Sequence, residues 1–201
     1  MSAGSRFPAR TREEMPTTEE REAHDFIKDC LLMGIKDEDK EVVLSREGKL
    51  LGHFATYTYS PTFGKAVFEV VKSLATLPLE LNVRETVIFA TAGFFKAKYP
   101  AYVHVPVARA FTTLAPAQIE ILARGEKPND LDVKEEAAYE VARALHITRG
   151  PLSQVIFDRC IKALGKEQTL SVIHFASFYA LISSSVNGAD VGLPYGESDV
   201  V

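Results

Sequence analysis

The stretch Arg84-Glu85-Thr86-Val87-Ile88-Phe89-Ala90-Thr91-Ala92-Gly93-Phe94-Phe95-Lys96-Ala97-Lys98-Tyr99-Pro100-Ala101-Tyr102-Val103-His104-Val105-Pro106-Val107-Ala108-Arg109 decides the fold. It reads as two consecutive helices. Asn82 offers a cap for a helix from Val83 to about Lys98. Pro100 opens the next, and Pro106 kinks it or shortens its first turns. Glu85 falls on the first helix and His104 on the second, so the carboxylate can orient the imidazole across the pair.

Outward from this core the helical pattern continues. Thr17 and Glu20 form a capping box ahead of Ala23, Phe26, Ile27, Cys30 and Leu31, an amphipathic helix that runs to about Met33 and ends at Gly34. Ser60-Pro61 starts a helix to about Ala75. Ala115-Pro116 starts a short one ending at Gly125, Asp132 caps another to about Ala144, and Ser153 caps one ending at Gly165. The last runs from about Glu167 to Asn187. No run alternates with period two, so the fold class is all-α with eight or nine helices. The domain reading is an extended N-terminal arm over 1–16, a single helical domain over 17–190, and a tail over 191–201.

The composition, 46% hydrophobic and 25% charged at net charge −4, is that of a globular protein with no electrostatic pull toward nucleic acid or an anionic membrane. No secretory signal follows the basic N-terminal residues, and the longest apolar-rich run, Leu170 to Ile182, is too short for a bilayer span and reads as a core helix. The expected location is cytoplasmic. Two distant cysteines, Cys30 and Cys160, make neither a disulfide framework nor a zinc pattern.

The Glu85 to His104 segment resembles the signature region of the carboxymuconolactone decarboxylase / alkylhydroperoxidase-D-like family. In its peroxidase branch the pattern is Glu, eleven residues, Cys-x-x-Cys, three residues, His. Glu85 and His104 take the Glu and His places, and the cysteine places fall at Ala97 and Pro100. Gly52-His53-Phe54, Ser60-Pro61, His104 to Arg109 and Tyr179 to Asn187 extend the resemblance over about residues 45–190. It implies a helical alkylhydroperoxidase-D-like fold assembled as a symmetric homo-oligomer: dimer, trimer or hexamer. Relatives in the decarboxylase branch carry Tyr-Glu-Trp just before the histidine, where this chain has Tyr99-Pro100-Ala101, so it departs from both branches at one place.

Without the cysteine pair a thiol peroxidase is disfavoured, since peroxide attack needs a thiolate. The expected activity is that of a lyase or isomerase working without cofactor or metal on a small carbonyl-, lactone- or phenol-bearing molecule, through an enolate, in secondary metabolism or aromatic catabolism. His104 is the candidate acid/base and Glu85 its orienter. Tyr99, Tyr102, His174, His53, Tyr57 and Arg109 are candidate substrate contacts. Ser171, His174 and Ser177 recur every three residues as a polar stripe able to line a cavity, and His53 and Tyr57 share a face if 53–57 is helical. The plainer alternatives are a buried hydrogen bond that fixes helix packing for Glu85 and His104, a core bond for His174, a surface turn for His53 and an ion pair for Arg84 or Arg109. His24 and His146 read as helix-surface residues. The alternative function is a catalytically silent, oligomeric binding or scaffold protein.

Overall fold

Local chemistry starts most of the helices in the computed structural model, which describes residues 5–194. Thr17 caps α1 (Thr18–Met33) through the Thr17–Glu20 capping box, and Pro61 occupies the first position of α3 (Pro61–Ala75). Between them lie a short 3-10 turn, Asp37–Val42, and the one-and-a-half-turn α2 (His53–Tyr57). Then follow α4 (Leu81–Phe95), α5 (Lys98–Phe111), α6 (Pro116–Ala123), α7 (Val133–Thr148) and α8 (Gln154–Gly188). Among the described residues β-pairing is limited to one isolated bridge, Leu44 with Leu50, so the fold is all-α.

The described residues fall into two compact units. The first takes the chain through Ala75 and from Ser185 on; the second is Thr76–Ser184. The boundary cuts through the stretch 17–190 that the sequence reading treats as one domain. In the first unit α1 and α3 pack together, with α2 against both. Gly64 makes this possible: a β-carbon there would stand 2.7 Å from Tyr57 Cβ and 2.9 Å from Tyr57 O. The arm of residues 5–16 holds no helix, turns at Glu13-Glu14 and is tied down. Arg6 donates to the Gly188 and Ala189 carbonyls, Tyr59 Oη donates to Pro8 O at 2.8 Å, and Arg10 pairs with Glu20 at 3.0 Å while lying over the Tyr59 ring. Residues 1–4 and 195–201 of the expected arm and tail lie outside the described residues.

The second unit is built around α4. From Val83 to Ala92 every position except Arg84 is buried, as expected of a helix enclosed by others. It packs on α5, α6 and α7. The helix starts two residues before the sequence reading places it. Asn82 is not its cap; its side chain accepts from Thr113 N–H and donates to Thr113 Oγ1 and Glu135 Oε1, tying α4 to the starts of α6 and α7. Lys96, in the left-handed region at φ 53°, ends α4 and reverses the chain into α5. Pro100 sits in the first turn of α5, where a missing N–H costs no ladder bond, while Pro106 lies inside the helix.

By length and composition α8 alone among the described residues would pass for a membrane span. Gly165, at φ 77° and ψ 173°, breaks it, and Val172, Phe175, Ala176 and Ile182 are buried within the protein. Part of its apolar character therefore serves packing, while Leu170 and Leu181 are exposed.

Two substitutions test this packing. Gly93 on α4 meets Gly125 so closely that a β-carbon would lie 2.3 Å from Gly125 Cα. Gly93→Ala is expected to lower stability by about 1–3 kcal/mol in urea unfolding; an unchanged midpoint would contradict the contact. Asp132 caps α7 by accepting from Lys134 N and Glu135 N at 2.8 Å. Asp132→Ala is expected to cost about 1 kcal/mol by the same measurement.

Candidate functional site

Glu85 is fully buried, and a carboxylate removed from water needs opposite charge and donors on its oxygens. Both oxygens are served. Arg84 Nε donates to Oε1 at 3.1 Å, and His104 Nδ1 lies 2.7 Å from Oε2. The Arg84 side chain is 24% exposed and that of His104 16%, so the group opens outward from a sealed carboxylate. The other ring nitrogen of His104, Nε2, lies 2.9 Å from the hydroxyl of Tyr179 on α8. The two rings stand edge to face, with centroids 5.3 Å apart at 80°. Arg84, Glu85, His104 and Tyr179 thus form one continuous hydrogen-bonded chain inside the second unit.

A carboxylate only accepts, so Nδ1 carries the proton in the bond to Glu85. Nε2 of the neutral ring is then an acceptor, and the Tyr179 hydroxyl donates to it. Such an arrangement can pass a proton along its length while a fixed negative charge steadies the imidazolium.

The sequence reading pairs Glu85 with His104, and the two stand bonded. Tyr179 is the member it did not place in the site. Tyr99 and Tyr102 flank His104 in sequence, but at 3.6 residues per turn they lie roughly 140° and 160° around α5 from it. Tyr99 is a fully buried core ring, and Tyr102 is half-buried 6.0 Å from it. Arg109 is exposed, outside the bonded chain, and Arg84 takes the ion-pair role rather than a free one. The stripe on α8 does not hold one depth: Ser171 is buried and bonded to Glu167 O at 3.1 Å, while His174 and Ser177 are exposed.

In the first unit His53 and Tyr57 do share a face of α2, with rings 5.6 Å apart and perpendicular. His53 is buried, not a surface turn residue, because α2 lays it against Phe54. The Tyr57 hydroxyl is buried and makes no hydrogen bond, and burial pushes its pKa far up. A separate cavity of about 150 Å³ in this unit is lined by Phe7, Leu51, Gly52, Ala55 and residues 191–194. Two other histidines differ from expectation. His24 is buried, with Nε2 2.9 Å from Gly48 O and Nδ1 3.1 Å from Asp25 Oδ1. His146 is half-buried against the rings of Phe94 and Phe95, 3.4 Å from Thr91 Oγ1. Both find partners from other elements that helical periodicity does not reveal.

Ala97 and Pro100 are both buried alkyl groups. Burial pushes both remaining thiols, Cys30 and Cys160, above their ordinary pKa, which lowers the thiolate fraction that peroxide chemistry requires. Among the described residues no three His, Cys, Asp or Glu side chains are grouped to hold a metal.

No family model matches the chain, and comparison with curated proteins finds no match. Among solved structures it is similar to the debrominase Bmp8, crystallised as a cysteine-to-alanine variant in complex with 2,3,4-tribromopyrrole. The TM-score is 0.72 over 97% of this chain and 95% of that one, at 12% identity. The likeness places the chain in an all-helical, alkylhydroperoxidase-D-like fold.

The environment of His146 sets a pH dependence. Burial first, and then the charge of Arg143, hold its pKa below the ordinary value. The unfolded chain therefore takes up a proton here before the folded one does, and stability falls as pH drops through about 6.5 toward the lower folded value. His146→Leu is expected to narrow the difference between urea midpoints at about pH 7.5 and 5.5; an unchanged difference would rule the site out as a contributor.

Proposed function

We propose that this protein is an enzyme that moves a proton on a small carbonyl-, lactone- or phenol-bearing molecule without a cofactor, by decarboxylation, isomerisation or a related step through an enolate. One observation carries the reading: a fully buried carboxylate is committed to one nitrogen of a partly accessible histidine. Sealing a charge in the interior is costly, and a carboxylate–imidazole pair is what acid/base chemistry near neutral pH requires. Glu85 positions His104, and Arg84 supplies the balancing charge. The debrominase Bmp8 was captured with a small flat ring, which supports a substrate of that size and shape for this fold.

The second reading is a silent binding or scaffold protein, favoured by the two buried alkyl groups at Ala97 and Pro100. Under either reading a homo-oligomer is proposed, supported by large apolar side chains left exposed on α3 and α8, Phe63, Val70, Leu170 and Leu181. Turnover of a panel of aryl ketones, lactones and phenols, followed by NMR, distinguishes the two. His104→Ala is expected to reduce turnover by roughly 10²–10⁴-fold with the helical circular dichroism unchanged. Turnover equal to the parent protein would remove His104 from the chemistry.

A further inference from the structure

The ion pair that steadies Glu85 uses only one nitrogen of Arg84. Nε donates to Glu85 Oε1 at 3.1 Å, and the second carboxylate oxygen belongs to His104. An arginine facing a carboxylate commonly engages both oxygens through two parallel bonds. Here the histidine forestalls that, and the planar fork is only partly spent. A guanidinium carries five N–H donors, and all but one sit on the two terminal nitrogens. Among the described residues none of those terminal donors finds an acceptor. Nor are the terminal nitrogens sealed, for neither is among the buried polar atoms that lack a partner. The Arg84 side chain is 24% exposed, against 16% for His104 and 0% for Glu85. Exposure therefore rises from Glu85 through His104 to Arg84, and unspent donors stand at the more open end.

We propose that Arg84 is a catalytic residue: its terminal N–H groups hold the carbonyl oxygen of the substrate and the oxyanion that forms there as the enolate is made. This deepens the proton-transfer reading above and rests on it. The C–H bond next to the carbonyl breaks, and its proton is taken up by the hydrogen-bonded group of His104. Its electron pair forms the new C=C bond, and the carbonyl pair moves onto the oxygen that Arg84 holds. The reverse transfer returns a proton to the same or a different substrate carbon, so nothing is oxidised or reduced. Charge balance favours a carbonyl over a permanent carboxylate on Arg84. Arg84 and Glu85 already cancel, so a carboxylate would bring a second full negative charge close to Glu85. A carbonyl oxygen arrives neutral and gains its charge only as His104 gains the opposite one. Donors fixed beforehand at that oxygen act on the transition state more than on the bound substrate, which is where they raise the rate. Arg84 and His104 are tied to opposite oxygens of one carboxylate, so the oxyanion donor and the proton acceptor keep a fixed spacing. The substrate this selects is a ketone or lactone with a C–H bond beside the carbonyl.

The test pairs two measurements on the parent protein, Arg84→Lys and Arg84→Gln, with circular dichroism as the check on folding. Lysine keeps a positive charge for Glu85 but has no second nitrogen to offer a ligand. The first measurement follows hydrogen–deuterium exchange into coumaranone and para-hydroxyphenylacetone in deuterated buffer by proton NMR. The second compares the affinity for para-nitrophenolate, an oxyanion on a flat ring, with that for para-nitroanisole, in which the same oxygen is methylated. The parent protein is expected to accelerate exchange on at least one probe and to prefer the phenolate by roughly tenfold or more. In both variants exchange is expected to fall by roughly 100-fold, and the preference to disappear while the affinity for the anisole is kept. A merely structural Arg84 would lower both affinities together, and that result would overturn the proposal. A parental exchange rate in Arg84→Lys, or no preference for the phenolate in the parent protein, would also overturn it while leaving the proton-transfer reading standing. Exchange by the parent protein no faster than buffer on either probe would overturn both.

Discussion

A negative charge with no access to water governs the second unit. Left alone, the Glu85 carboxylate would cost several kcal/mol in that environment. The surrounding helices are arranged so that it is not alone. Arg84 comes from the neighbouring position on α4, and His104 from α5. The bond to Oε2 fixes which nitrogen of His104 carries the proton, and that choice dictates what the far side of the ring can bind. Tyr179 on α8 answers it. Three helices are thereby aligned by a requirement that originates in one side chain.

The packing that holds this alignment relies on polar side chains that pair across the starts of α4, α6 and α7. Asn82 spends its carbonyl oxygen on Thr113 N–H and its amide on Thr113 and Glu135, and Glu135 closes the capping box with Asp132. At the other end of α4, Gly93 and Gly125 bring two backbones together where side chains would hold them apart. α4 is thus clamped at both ends around Glu85.

Legibility in the sequence followed range. Thr17 and Asp132 were readable as helix caps because each satisfies N–H groups two or three residues away. Asn82 reads as a cap and is not one: its partners lie 31 and 53 residues further on, and a side chain that looks like a local cap carries no mark of a distant use. The Glu85–His104 pair spans only 19 residues and matches a family spacing, so it could be anticipated. Tyr179 is 75 residues from His104. Within an apolar helix it reads like any other core aromatic, and only its hydroxyl, which has to find a partner if buried, hinted at more. The buried place of His24 is hidden for the same reason: its partner, the carbonyl of Gly48, lies 24 residues further on.

The ion pair between Arg84 and Glu85 also sets an electrical ledger for the whole group. With the His104 ring neutral, one positive and one negative side chain cancel, and His104 and Tyr179 add nothing. In the proposed reaction a proton drawn inward turns the protein's share to plus one at the moment the substrate becomes minus one. Opposite charges born side by side in a poorly screened interior attract far more strongly than they would in water. An anionic intermediate would therefore be retained until it regains a proton, and release would be open only to neutral species. In that reaction, escape of a half-reacted molecule would be discouraged by the same buried carboxylate that aligns the helices.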